Sequence, residues 1–383
     1  MTGSYLLRIP GYVACGANAM QALSGLLAGY QKIAVFTDRG IAESGVLQIP
    51  LAAIRQTGIP YELLSDLPSE PTADQAEAAV RAFRNSGADA IVAVGGGSVM
   101  DVAKLAGALG GTGVSVREMV QNPALGHKSV VTVMVPTTAG TGSEATPNSI
   151  VSLPEENLKV GIVHESLLAD KVILDPAMIE NLPRNIAAST GIDALAHAIE
   201  CFTSKKATPA SDLFALEALK LIFVNIEAAV NGQGDLQAKE KMLLASFYAG
   251  VAITASGTTA VHALSYPLGG RYHIPHGISN AVLLLPVMRY NEPVVREKFC
   301  AVHDALRPEA LSLPAEQKSA WVLGRLEEIL HSLSIPATLA AYGVGQGDLD
   351  ALVQAGMKVT RLLHNNMRDV TPDAAREIYR AVL

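Results

Sequence analysis

The chain has 383 residues, 49% of them hydrophobic, only 17% charged, with a formal net charge of -7. That length gives two domains or one large one, the composition excludes long disordered stretches, and the mild acidity without any strongly basic run excludes a binder of phosphate backbones. The three cysteines, Cys15, Cys201 and Cys300, are far apart and odd in number, so no disulfide framework is implied. The N-terminus lacks the charged and apolar regions of a signal peptide, and no apolar run approaches the roughly 18 residues of a membrane helix. A cytoplasmic protein with no membrane partner is therefore expected.

Taken in chain order, residues 33–36, 91–94, 130–135 and 172–174 are short, continuous, β-branched apolar runs. Such runs read as strands buried on both faces. A helix opens at Thr72, where Thr72 and Gln75 have capping-box spacing, and Gly87 closes it. Strand–helix–strand alternation predicts a parallel α/β sheet. From about Ile179 the patterns become helical: Leu216, Leu219, Phe223 and Ile226 recur at helical spacing, as do Leu323, Leu326 and Leu330. The expected organisation is an α/β domain over residues 1–178 and an all-α domain over 179–383.

Gly95-Gly96-Gly97-Ser98 follows a strand and opens a helix. Glycines there let backbone N–H groups approach a pyrophosphate, and the helix start adds partial positive charge. Taken alone, the turn reads equally as a tight strand–helix connection, and it is not the common G-x-G-x-x-G fingerprint. Ser98, Asp101 and Lys104 are spaced by three and share a helix face. A second polar loop, Pro136-Thr137-Thr138-Ala139-Gly140-Thr141-Gly142-Ser143-Glu144, follows the third strand. It suits either nucleotide binding or helix capping. Asp38, after the first strand, stands where acidic residues accept ribose hydroxyls, or is a turn residue.

Asp193 and His197 are four apart in a helical segment, on one face. His262 lies in an apolar run, and His276 follows Pro275, a helix-start signal. Three imidazoles and a carboxylate suit Fe²⁺ or Zn²⁺ better than Mg²⁺ or Ca²⁺. His273 stands three before His276, and Tyr266 one turn after His262. His127, His164, His303, His331 and His364 stand alone and read as surface or capping residues, and Cys201 as a packed helix cysteine.

In order along residues 16–371, these motifs resemble the iron-containing (group III) alcohol dehydrogenases, which include lactaldehyde/propanediol oxidoreductase and 1,3-propanediol dehydrogenase. The segments that carry the resemblance are Gly95-Gly96-Gly97-Ser98-x-x-Asp101-x-Ala103-Lys104, Pro136-Thr137-Thr138-Ala139-Gly140-Thr141, Gly191-Ile192-Asp193-Ala194-Leu195-x-His197-Ala198-Ile199-Glu200 and Pro275-His276-Gly277. The resemblance implies an N-terminal dinucleotide-binding α/β domain and a C-terminal helical metal domain. It implies Asp193, His197, His262 and His276 as metal ligands, with iron, or zinc as alternative. It implies NAD contacts from Asp38, from Gly96, Gly97, Ser98 and Asp101 in the pyrophosphate loop, from Thr137, Thr138, Thr141 and Lys159, and from Asn148 near nicotinamide or substrate. The expected activity is hydride transfer between a small alcohol or aldehyde and NAD(H), in a homodimer or higher homo-oligomer without nucleic-acid partners.

Three departures stand out. Tyr266 occupies a position that holds histidine in many members, which leaves His273 and Tyr266 as candidates for proton transfer. Glu70-Pro71-Thr72 replaces Asn-Pro-Thr, and Asn366-Met367-Arg368 replaces Asn-Pro-Arg. Thr258, Thr259 and Arg271 around His262 suggest a polar substrate pocket; the alternative is that the threonines cap backbone groups and Arg271 faces solvent. A lyase resembling dehydroquinate synthase, a glycerol-dehydrogenase-like enzyme, a metal-free relative resembling maleylacetate reductase and a non-catalytic nucleotide-binding protein are the competing readings.

Overall fold

The computed structural model describes residues 4–156, 158–232 and 235–383. The chain divides into two compact units, one of residues Arg8–Leu182 and one of Pro183–Leu383 with the short segment before Arg8.

The first unit is built on six strands: β1 (Tyr12–Cys15), β2 (Ile33–Asp38), β3 (Tyr61–Leu67), β4 (Ala90–Gly95), β5 (Val131–Pro136) and β8 (Lys171–Leu174). All neighbours pair in parallel, in the order β1-β8-β5-β4-β2-β3. β6 (Asn148–Leu153) and β7 (Leu158–Val163) form a separate antiparallel pair. The runs over 33–36 and 91–94 are central strands with every residue buried, which is why they are continuously apolar. Ile33, Val35, Val92, Val94, Val133 and Val135 face one core, packed by Leu23, Leu27 and Ile54. On the other face Phe36 meets Phe83 with ring centroids 6.2 Å apart.

Between β2 and β4 there is more than one helix. α1 (Gln48–Gln56) and β3 precede α2 (Ala73–Ser86). β3 is half exposed along most of its length, as suits a sheet edge, so it carries no continuous apolar run. α2 opens with the expected capping box: Gln75 N–H donates to Thr72 Oγ1 and Thr72 N–H to Gln75 Oε1. Gly87 ends it at φ 66°, a left-handed conformation that glycine adopts without steric cost. α3 (Gly97–Leu109) follows β4 directly.

The second unit is helical: α4 (Arg184–Phe202), α5 (Pro209–Asn231), α6 (Leu236–Ser256), α7 (Ala260–Tyr272), α8 (His276–Leu306) and α9 (Ala315–Ser332), followed by shorter helices. α4 is buried on all sides from Gly191 to Phe202, as a central bundle helix must be. α5 buries Leu219, Phe223 and Ile226 of the expected stripe and leaves Leu216 half buried. On α9 the buried stripe is Val322, Leu326 and Ile329, with Leu323 and Leu330 only half buried at its flanks. That stripe is turned by one residue from the expected one, because valine and isoleucine at i and i+7 fill the interface while the two leucines overhang it.

Candidate active site

In the first unit the C-terminal ends of β2, β4 and β5 lie side by side, since Phe36 pairs with Ala93 and Gly95 with Pro136. This edge brings the loops of Asp38, Gly95–Ser98 and Thr137–Thr141 together. The N-cap of α3 is Gly96, which has no side chain to occupy the first-turn N–H groups. A Cβ on Gly97 would lie 2.8–2.9 Å from the Thr141 side chain, so the cradle has room only for backbone there. Thr137 is buried, and its Oγ1 has no hydrogen-bond partner among the described residues. Asp38 accepts the N–H of Ile41 through Oδ1 at 2.9 Å and so caps a short helix.

Other expected cofactor contacts are engaged within the protein. Asp101 Oδ2 accepts from Ile150 N–H at 2.9 Å, while Oδ1 meets Lys104 Nζ at 3.1 Å and the Ser143 hydroxyl. Lys104 is wholly buried and also donates to Ser143 O at 2.9 Å, tying the glycine loop to the threonine loop. Ser98 Oγ accepts from Glu70 N–H at 3.1 Å, and Lys159 pairs with Glu70 at 2.7 Å. Glu70 sits at φ 55°, in left-handed backbone where asparagine is better tolerated than glutamate. The Glu70 side chain thus engages Lys159, a residue expected to serve the cofactor, while its backbone N–H engages Ser98. Asn148 begins β6, half buried.

In the second unit Asp193 lies on α4, His262 on α7 and His276 at the start of α8, just after Pro275. One ligand atom from each of the three lies within 4.8 Å of the others. Asp193 Oδ1 is 3.7 Å from both His262 Nε2 and His276 Nε2. His197 is less closely gathered: its ring stacks on His262 at 4.5 Å, and its Nδ1 lies 4.0 Å from Asp193 Oδ2. Burial works against the Asp193 charge, but His197, His276 and His262 outweigh it and hold the carboxyl far below the usual range. His262 is likewise opposed by burial, yet Glu200 and Asp193 raise it to about 9.

Asn280, one turn after His276, occupies the middle of this set. Its Nδ2 lies 2.7 Å from Asp193 Oδ1, 3.0 Å from His262 Nε2 and 3.2 Å from His276 Nε2. An amide offers two hydrogens, so its nitrogen cannot donate to a carboxylate oxygen and two ring nitrogens at once. Its own Oδ1 is buried with no partner among the described residues. A buried carboxylate with two imidazole nitrogens converging on it is a donor set that a divalent cation satisfies, so these residues fit a metal.

Two residues here carried no role in the sequence reading. Asn280 follows His276 by one turn, just before the apolar run Ala281-Val282-Leu283-Leu284-Leu285, and Glu200 closes the run Ala194-Leu195-Ala196-His197-Ala198-Ile199-Glu200. The signal for both was a polar group on a helix too apolar to be solvated, since a buried carboxylate needs partners. Glu200 is fully buried and touches His262 Nδ1.

Of the proton-transfer candidates, Tyr266 sets its ring 6.3 Å from that of His276, and burial raises its hydroxyl pKa. His273 is exposed and ends α7 in left-handed backbone at φ 54°. The polar-pocket expectation loses ground: Thr259 spends its hydroxyl on Glu200 at 2.7 Å, and Arg271 is exposed against the Tyr272 ring, 5.5 Å from its centroid. Among the lone histidines, His303 is a correction. It is buried edge-on to Trp321 and bonded to Asp304 at 2.9 Å, because its ring fills an interface between α8 and α9. Cys201 is buried as expected, which pushes its thiol up to about 12.

Both units match known proteins. Residues 10–176 match the family model "Iron-containing alcohol dehydrogenase", and residues 187–383 match "Fe-containing alcohol dehydrogenase family, C-terminal". The chain is 35% identical over 356 residues to long-chain-alcohol dehydrogenase 1 of Geobacillus thermodenitrificans, covering 92% of this chain and 90% of that protein. The crystal structure of a 1,3-propanediol oxidoreductase superposes with TM-score 0.92 at 30% identity, over 99% of both chains. The sulfoacetaldehyde reductase of Bifidobacterium kashiwanohense, solved in complex with NAD+, superposes with TM-score 0.89 at 26% identity, again over 99% of both. Among the described residues no single helix is long and apolar enough to cross a membrane. With family models over both units and relatives of near-equal length, this chain belongs to the iron-containing alcohol dehydrogenase family.

Proposed function

We propose that the chain is a metal-dependent, NAD(H)-linked alcohol dehydrogenase and aldehyde reductase, with Asp193, His197, His262 and His276 holding Fe²⁺, or Zn²⁺ in its place. The observation that carries this reading is the convergence of Asp193, His262 and His276 on one buried point filled by the Asn280 amide. Bound there, the cation would supply Lewis acidity, lowering an alcohol's pKa or polarising an aldehyde carbonyl. NAD supplies the hydride chemistry, and the protein contributes placement.

The chain's own residues have separable tasks. Backbone N–H groups of Gly96, Gly97 and Ser98 at the start of α3 are the candidate pyrophosphate donors, with Thr137, Thr138 and Thr141 beside them. Asp101 and Lys104 act behind the cradle by bracing the two loops. A carboxylate at Asp38 accepts ribose hydroxyls and repels a 2′-phosphate, which favours NAD over NADP. Lys159 is assigned to the cofactor together with Thr137, Thr138 and Thr141, and Asn148 to the nicotinamide or substrate side. Tyr266 beside His276 and exposed His273 are the candidates for carrying the alcohol proton to water. The same reading makes the enzyme a cytoplasmic homodimer or higher homo-oligomer acting on free small alcohols and aldehydes. The cofactor is assigned to Arg8–Leu182 and the metal to Pro183–Leu383, four residues beyond the boundary expected at 178/179.

The test is anaerobic reconstitution with Fe²⁺ or Zn²⁺, followed by steady-state NADH formation from small alcohols and metal analysis. His262→Ala and His276→Ala should lose bound metal while remaining folded, and lose kcat/KM by about 10³-fold. Unchanged metal content in both variants would remove the ligand assignment. Failure of the reconstituted parent to form NADH from any alcohol would favour the synthase-like lyase, which uses NAD only transiently.

A further inference from the structure

We propose that Glu200 is a positioning residue for the metal site, fixing the tautomer of His262 so that Nε2 turns a lone pair toward Asp193 and His276. This rests on the reading of His262 as a ligand. Glu200 lies two turns after Asp193 on α4 and is fully buried. Its carboxylate meets donors on every side. Oε1 accepts from Thr259 N–H at 2.9 Å, Val261 N–H at 2.8 Å and the Thr259 hydroxyl at 2.7 Å. Oε2 meets His262 Nδ1.

An ionised carboxylate only accepts hydrogen bonds, so the proton of a neutral His262 must sit on Nδ1. Nε2 then has its lone pair free, and it is Nε2 that faces Asn280 Nδ2 at 3.0 Å and stands 3.7 Å from Asp193 Oδ1. A carboxylate behind a ligating imidazole fixes ring orientation and raises its basicity. Glu200 does a second thing with the same group. Thr259 is the N-cap of α7 yet makes no side-chain cap bond of its own, and Glu200 takes up the first N–H groups instead. One side chain on α4 therefore sets both where α7 begins and which nitrogen of His262 faces the site.

The glutamine variant separates these two tasks. In Glu200→Gln the amide oxygen still accepts from Thr259 and Val261, so α7 stays capped, but the amide N–H donates to Nδ1 and drives the imidazole proton to Nε2. Fe²⁺ and Zn²⁺ affinity of the apo-protein, read by chelator competition, should fall about 10–100-fold. The apo melting temperature should barely move, and ¹⁵N-histidine NMR, recorded at alkaline pH where the His262 ring is neutral, should report it protonated at Nδ1 in the parent and at Nε2 in the variant. Glu200→Ala should lower both affinity and melting temperature. Parent-like metal affinity in folded Glu200→Gln overturns the proposal and leaves Glu200 a helix cap. His262→Ala is the control arm. If it keeps its metal, the ligand reading falls and takes this inference with it; if it loses metal while Glu200→Gln does not, the inference alone is wrong.

Discussion

At the scale of single residues, burial decides charge. Glu144 closes the threonine loop and is almost wholly buried, which pushes its carboxyl up to about 7, although its own backbone hydrogen bond and Lys104 pull the other way. Its ordinary value is 4.5. As pH rises from there, the unfolded chain releases the proton first, so stability falls through the window from 4.5 to about 7 and is flat above it. Glu144→Gln removes a titration that only costs the folded state. We expect the variant to lose this downward slope and to be more stable than the parent at pH 8, by on the order of 1–3 kcal/mol. Urea unfolding at a series of pH values measures it. A variant less stable than the parent at pH 8 would mean that the Glu144 carboxylate is held ionised by Lys104, and the argument from burial would fail.

At the scale of elements, the metal site depends on how closely helices approach. Gly277, the second residue of α8, has no room for a side chain: a Cβ there would lie 2.4 Å from Ser189 O on α4. Backbone cannot retreat cheaply, so Gly277→Ala must push the start of α8 away from α4. His276 moves with it, relative to Asp193. The expected cost is about 1–3 kcal/mol of stability together with weakened metal binding. Denaturant titration and chelator competition check the two effects separately, and a variant matching the parent in both would show that the contact is not tight. The same scale explains what could be seen in the sequence. Central strands announce themselves because both faces are buried, as β2 and β4 do. β1 and β3 sit at sheet edges with mixed burial and give no such run, and the β6–β7 pair was equally silent. The capping box at Thr72 was legible because it is a local hydrogen-bond pattern. Glu200 and Asn280 were not, because their partners lie 59 and 87 residues away along the chain, at Thr259 and Asp193.

At the scale of the molecule, chemistry is divided between two units that each carry their own core. The proposed metal ligands all belong to Pro183–Leu383, and the proposed dinucleotide contacts all belong to Arg8–Leu182. Within each unit the candidate residues come from several elements: α4, α7 and α8 for the metal, and the loops after β2, β4 and β5 for NAD. A ligand that bridges elements stabilises them against local opening, by about 2.7 kcal/mol when its concentration is a hundredfold above Kd. Amide hydrogen exchange can therefore map each site without any turnover. Metal added to apo-protein should slow exchange around residues 193–200, 259–262 and 276–280. NAD added to metal-free protein should slow it around 96–101 and 137–141, where the start of α3 stands beside the Thr137 hydroxyl, which has no partner among the described residues. These are distinct stretches, so the two footprints are readable in one sample. Protection by the metal confined to the glycine and threonine loops would contradict the assignment of Asp193, His262 and His276. Protection by NAD that spares Gly96 through Asp101 would contradict the pyrophosphate cradle, whatever the enzyme's activity.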